Sequence, residues 1–214
     1  GGLVGADGAT HHGFFDMAFM RSIPNMIVAA PMDEIELRNM LYTAQLEKYK
    51  SPVSIRYPRS RGRFADWKKP FTEIEPGKAR QISSGNDLAI LTVGSPGNTA
   101  ASVVYKLTGE GIKITHWDMR FVAPLDENVL HGIFKHFKHI ITIEDGILKG
   151  GFGSAVIEFM SDNNYNSEVR RLGIPDYFVE HGTQDELYRE CGYDAEGIEL
   201  AIREILVRKE GENK

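Results

Sequence analysis

Residues 88–93 read Leu88-Ala89-Ile90-Leu91-Thr92-Val93, one hydroxyl among apolar side chains. So short an apolar run, without polar alternation, reads as a strand covered on both faces. Helical spacing follows over 99–107, and the pair then repeats. Strands are expected at 112–117, 140–143 and 169–172, and helices at 127–137, 154–160, 184–191 and 195–207. Strands separated by helices imply crossover connections, so a largely parallel sheet with helices on both faces is predicted. The polar tail 208–214 is expected to fray.

Upstream the alternation starts earlier. Phe15, Ala18 and Phe19 share a helical face that Pro24 ends. Residues 26–30 have strand character, and Asp33 with Glu36 resembles a capping box. The helix it opens carries Leu37, Met40, Leu41 and Ala44 on one face, and 53–57 reads as a further strand. Between the two blocks, 58–76 loses its periodicity and holds three prolines and the basic residues Arg59, Arg61, Arg63, Lys68 and Lys69. The expected organisation is an α/β piece at 1–61, a linker at 62–78 and an α/β domain at 79–214.

With 214 residues, 42% hydrophobic and 26% charged, the chain is long and apolar enough for a real core. A formal net charge of -5 gives no reason to expect nucleic acid or an anionic membrane as partner. No apolar run reaches the roughly 20 residues of a bilayer span, and 1–12 do not form a signal peptide. Cys191 is the single cysteine, so no disulfide forms within the chain, which fits a cytoplasmic location. Gly1 is not Met, and the expectation is a processed end or a break rather than the start of a gene product.

The densest chemistry lies in Gly5-Ala6-Asp7-Gly8-Ala9-Thr10-His11-His12-Gly13. Glycines allow tight turns and close approach to a ligand, and histidine moves protons near neutral pH. The same stretch also reads as a helix-entry loop, capped by Thr10 or Asp7 with solvated histidines. A metal site is the weaker reading, because no third ligand lies nearby in sequence. Arg56-Tyr57-Pro58-Arg59 follows a strand, where α/β proteins place ligands, and arginine's fork suits phosphate. For Arg59 phosphate binding and a solvated linker position both stay open; Arg61, Arg63, Lys68 and Lys69 read as solvated. Gly150-Gly151-Phe152-Gly153 lacks the third glycine of a dinucleotide loop, Val156 standing there, and reads as close packing of helix against strand or against another subunit. His116, His131, His136, His139 and His181 read as surface or satisfied buried residues.

In order, Gly2-Leu3-Val4-Gly5-Ala6-Asp7-Gly8-Ala9-Thr10-His11-His12-Gly13, Ile23-Pro24-Asn25-Met26, Arg56-Tyr57-Pro58-Arg59, Asp118-Met119-Arg120-Phe121, Glu144-Asp145 and His181-Gly182-Thr183-Gln184 resemble the 1-deoxy-D-xylulose-5-phosphate synthase family. The resemblance covers nearly the whole chain. It implies the end of a pyrimidine-binding domain followed by a three-layer α/β/α transketolase C-terminal domain. It further implies a thiamine-diphosphate and Mg²⁺ enzyme, a homodimer that joins pyruvate to glyceraldehyde 3-phosphate with loss of CO₂. On this likeness His11 serves proton transfer, Asp7 bonds an acceptor hydroxyl, and Arg59 holds the acceptor phosphate. The likeness gives His12 no role. The diphosphate motif and the glutamate that activates the aminopyrimidine do not occur in this sequence, so no cofactor-binding residue is assigned and the isolated chain is expected to be inactive. Met32 departs from the family's usual serine and leaves Asp33 to cap. The family has an arginine just before the position of Gly1, so a trypsin-like cut there is one expected origin of this end. Two rival readings remain: an interaction module that assembles with a separate partner chain, and another thiamine-diphosphate enzyme with a different donor or acceptor.

Overall fold

The computed structural model describes residues 1–60, 62 and 68–212, with side chains to 208. Its elements in chain order are α1 (Asp16–Met20), β1 (Ile27–Ala29), α2 (Glu34–Thr43), β2 (Val53–Ile55), β3 (Arg80–Ser83), β4 (Leu88–Val93), α3 (Pro96–Gly109) and β5 (Ile114–Asp118). There follow β6 (Phe121–Ala123), α4 (Glu127–His136), β7 (His139–Ile147), α5 (Phe152–Asp162), β8 (Glu168–Ile174), α6 (Gln184–Glu190) and α7 (Ala195–Glu212).

The unbroken apolar run at 88–93 becomes β4, buried at every position. It lies in a five-stranded sheet of order β3-β5-β4-β7-β8. The β4–β5, β4–β7 and β7–β8 pairs are parallel, and only the edge strand β3 runs antiparallel. Alternation along β4 divides its side chains between two cores. Leu88 and Ile90 pack with Val103, Leu107, Ile198 and Ile202 of α3 and α7. Ala89, Leu91 and Val93 pack with Leu130, Phe134, Phe152 and Val156 of α4 and α5. Each such side chain contributes roughly 1.5–3 kcal/mol by leaving water, which accounts for helices on both faces. The predicted three-layer, largely parallel α/β architecture is therefore the observed one.

A second sheet has the order β2-β1-β6. β1 and β2 are parallel, whereas β6 pairs antiparallel with β1 through Val28↔Ala123 and Ala29↔Phe121. The later block thus lends a strand to the earlier one. Arg120 makes the sharp entry to β6 with φ +59, and its carbonyl accepts from the Ala30 N–H at 2.8 Å.

Two local expectations are corrected. The capping box of α2 does not close. Asp33 caps the helix, its Oδ1 accepting from the N–H groups of Ile35 (2.9 Å) and Glu36 (2.8 Å). The Glu36 carboxylate instead accepts from Arg120 Nε (2.6 Å) and Nη2 (2.9 Å) and from Arg80 Nη1 (3.2 Å). Three charge-assisted hydrogen bonds from two arginines outweigh one return bond to a helix-end amide. Arg80 also reaches Asp118 at 3.1 Å, so this ionic knot ties α2 to β3 and β5. The tail likewise does not fray from 208, since α7 runs to Glu212. Its earlier turns are packed on α3, and extending a formed helix costs far less than starting one.

After the break in described residues, the chain returns along α2. Thr72 N–H donates to Asn39 Oδ1 at 3.1 Å and Ile74 N–H to Thr43 Oγ1 at 2.9 Å. Ile74 is buried beside Met40 and Phe121. Arg61 and Arg63 lie outside the described residues. No described helix is long and apolar enough to cross a membrane.

Candidate functional site

In the main sheet β5 lies on one side of β4 and β7 on the other. The connections therefore diverge between β4 and β7, where an open α/β sheet leaves a crevice at its carboxyl end. Val93 there stands opposite Glu144. Glu144 accepts from the N–H groups of Phe152 and Gly153, both at 2.8 Å, at the start of α5. Burial pushes its carboxyl up to about 7, against the pull of these two amides and of Arg56. This explains the glycines of 150–153. A Cβ on Gly151 would lie 2.2 Å from Glu144 Oε2, and one on Gly153 would lie 2.6 Å from Thr142 Oγ1. The loop is a packing device for a buried carboxylate, as the sequence reading of close packing has it.

The N-terminal loop sits over this crevice. Gly2 and Gly13 close its base through paired backbone hydrogen bonds of 2.7 and 2.9 Å. Leu3 and Phe14, flanking the loop, plug into the core shared by β4, β7 and α7. Gly8 has φ +69, and a Cβ there would come within 3.2 Å of His181 Cβ, so this turn requires glycine. His12 is buried. Its Nδ1 accepts from Val4 N–H at 3.1 Å, which leaves Nε2 to donate to Glu180 O at 3.2 Å. Its role is to fasten the loop to the segment before α6.

Between these anchors the loop presents its chemistry. Asp7 and Arg59 form an ion pair, Arg59 being 70% and Asp7 34% exposed at the side chain. The pair joins two residues that sequence reading assigned to one substrate from separate motifs. His11 is exposed in the same turn, its Nδ1 3.0 Å from the Thr10 hydroxyl. An open hollow of about 460 Å³ beside Arg59 is lined by Val4, Gly5, Ala6, Arg59, His181 and Thr183.

Arg56, three residues before Arg59, turns inward. Its Nε donates to Asp16 Oδ2 at 2.8 Å, and its Nη2 to the carbonyls of Asp145 (2.8 Å) and Gly13 (3.3 Å). The nearby carboxylates raise its pKa against the desolvation it suffers, so it remains a buried cation. Sequence reasoning left Asp145, Tyr188 and Tyr193 without roles. Asp145 Oδ1 accepts from Leu3 N–H (3.0 Å) and the Tyr193 hydroxyl (2.8 Å). Burial raises its pKa, opposed by Arg56 and these donors. The available signal was an acidic pair, Glu144-Asp145, inside a strand buried along its whole length. Among the scattered histidines, His131 meets the Tyr165 hydroxyl at 2.8 Å. His116 and His139 are only half satisfied, because Nδ1 of the first and Nε2 of the second are buried without a hydrogen-bond partner among the described residues. Burial, with Arg80 nearby, lowers the His116 pKa to about 4, so it is neutral in the fold.

Comparison with known proteins fits this geometry. The model of the transketolase C-terminal domain matches residues 77–198, more than half of the chain, and that of the transketolase pyrimidine-binding domain matches 1–64. The chain belongs to the transketolase family. Within that family its curated relatives carry the name 1-deoxy-D-xylulose-5-phosphate synthase. The Cytophaga hutchinsonii protein is 56% identical over 95% of this chain, the Bacteroides fragilis protein 53% over 97%, and the Vibrio campbellii protein 44% over 97%. The chain spans 32% of the length of each. A solved structure described as a split gene transketolase, inactive beta4 tetramer, superposes with a TM-score of 0.78 at 28% identity, covering 93% of this chain and 63% of that one. The resemblance read from the sequence and the α/β fold class both stand on these matches.

Proposed function

We propose that this transketolase-family chain is the acceptor-side part of a 1-deoxy-D-xylulose-5-phosphate synthase, which joins pyruvate to glyceraldehyde 3-phosphate and releases CO₂. The carrying observation is the Asp7–Arg59 pair, in which Asp7 stands on a loop anchored above the sheet's crevice and Arg59 follows β2. Arg59 is the phosphate ligand. An exposed ion pair is worth about 0–1 kcal/mol, whereas charge-assisted hydrogen bonds contribute roughly 1.5–3 kcal/mol. A phosphate bearing nearly two charges therefore displaces Asp7 from the Arg59 fork. The freed Asp7 carboxylate accepts from the acceptor's hydroxyl, which orients the aldehyde. The aldehyde oxygen gains a negative charge as the new carbon–carbon bond forms, and a protonated His11 ring nitrogen delivers its proton. In this reading the pyrimidine-type piece covers 1–61, the C-terminal domain covers 79–214, and 62–78 joins them.

Thiamine diphosphate with Mg²⁺ belongs to this function as the electron sink for decarboxylation. The carboxylates described here do not fit it. Glu36 is held by two arginines, Glu144 by two amides, and Asp145 by Leu3 and Tyr193. Cofactor binding belongs to the rest of a homodimeric cytoplasmic enzyme.

The test is the full-length protein with pyruvate and glyceraldehyde 3-phosphate, Mg²⁺ and thiamine diphosphate. CO₂ and a five-carbon ketose phosphate are the expected products. Turnover only with another donor or acceptor assigns the chain to a different thiamine-diphosphate enzyme. A second reading draws on the split gene neighbour: a chain of this span that assembles with a separately encoded partner. A start codon immediately before Gly1, with an upstream gene for the remaining domains, would establish it.

A further inference from the structure

We propose that Asp145 is a positioning residue that sets the height and angle of the loop bearing Asp7 and His11, so that the C-terminal domain governs acceptor capture. The inference rests on the proposed roles of those two residues. Asp145 stands on β7, 142 positions from Leu3, yet its Oδ1 takes the Leu3 N–H at 3.0 Å. The Leu3 carbonyl accepts from Gln184 Nε2 at 2.8 Å, so both backbone polar groups of this residue are held by the C-terminal block. Arg56 secures the other foot, joining the Gly13 and Asp145 carbonyls. Tyr193 fixes the carboxylate at 2.8 Å, and Tyr188 stands 3.5 Å from its other oxygen. Space for that oxygen exists only because residue 2 is glycine, since a Cβ there would lie 1.8 Å away. Both feet are fixed and the crown is exposed. A shift at Leu3 is therefore carried to Asp7 four residues on, and positional errors of about 1 Å can cost a hundredfold in rate.

The experiment uses the full-length enzyme carrying Asp145→Asn, with Gln184→Ala as a second variant. Gln184 is partly exposed, and its loss spares the core. Steady-state kinetics with both substrates are measured beside amide hydrogen exchange of peptides covering residues 1–14. The expected result for either variant is exchange at Leu3 and Val4 at least about tenfold faster, KM for glyceraldehyde 3-phosphate raised about tenfold, and KM for pyruvate unchanged. Wild-type exchange rates in both variants overturn the inference, as do equal losses toward both substrates in folded Gln184→Ala. If the wild-type enzyme does not use glyceraldehyde 3-phosphate, the functional reading fails instead, and the exchange rates still decide whether Asp145 holds the loop.

Discussion

Arg56 and Arg59 show how much one side chain's surroundings decide. Both follow the same strand and both carry the same fork, and in sequence they formed one basic cluster. The fold buries Arg56 against Asp16 and backbone carbonyls and leaves Arg59 at the surface on Asp7. Only the second is accessible to a ligand, and it remains our candidate for the phosphate. In the full-length enzyme, Arg59→Ala should lower kcat/KM for glyceraldehyde 3-phosphate roughly ten- to a hundredfold, the value of a lost charge-assisted contact. The kinetic constants for pyruvate should hardly move. An unaltered acceptor constant with impaired pyruvate use would show Arg59 misassigned. For His11, lost proton transfer costs about 10²–10⁴ in rate, so His11→Ala should lower kcat by that factor while circular dichroism stays native. A kcat equal to wild type from pH 6 to 8 returns His11 to a solvated loop residue. The loop motifs stood out in the sequence, and it was the family resemblance, not their composition, that gave Asp7, His11 and Arg59 their proposed roles. The groups beneath them did not stand out, because a buried carboxylate in a strand declares its partner only once the chain is folded.

Long apolar runs and the helical stripes of the later block were readable at the level of elements, since burial on two faces or one leaves a period in the sequence. In the earlier block the stripes misled, for Phe15, Phe19 and Leu41 are exposed while α1 buries Met17 and α2 buries Glu36, Asn39, Met40 and Thr43. β3 and β6 left no period. β3 is a half-exposed edge strand and β6 has three residues, with pairing chosen by distant neighbours. Glycines follow the same division between local and tertiary causes. Gly151 has ordinary backbone angles, φ -75 and ψ -157, so its requirement is space beside Glu144 and the Ile147 carbonyl. Gly151→Ala should therefore destabilise the chain by about 1–3 kcal/mol, as overpacking does. Gly132 lies inside α4 with nothing within 4 Å of an added Cβ. Gly132→Ala should stabilise by about 0.5–1 kcal/mol, because glycine loses more backbone freedom in a helix. Urea titrations of both variants test the pair, and equal shifts would mean that propensity, not packing, dominates both sites.

Across the whole molecule, the two blocks share a β-pair and an ionic knot, so cofactor binding and domain coupling are separable properties. Calorimetry with Mg²⁺ and thiamine diphosphate should detect negligible binding to this chain alone, because neither the diphosphate motif nor the glutamate that activates the aminopyrimidine occurs in its sequence; a micromolar Kd would contradict that. The knot itself makes a prediction about pH. Among the described residues, Asp33, Glu36 and Asp118 face Arg80 and Arg120, three carboxylates to two cations. Asp118 is fully buried, and desolvation, with Glu36 adding to it, pushes its pKa up to about 7 despite both arginines. Unfolding returns it to about 3.9. Between those values the folded state binds the extra proton, so this contribution to stability is complete below about pH 4 and lost as pH rises through about 7. A three-unit shift sets a ceiling of about 4 kcal/mol. Asp118→Asn keeps the shape and removes the titration. Its Tm should rise relative to the native chain between pH 5 and 8, whatever the offset at pH 5, because Glu144 titrates equally in both. Parallel curves of Tm against pH would mean that Arg80 keeps Asp118 ionised throughout and that the knot holds no proton.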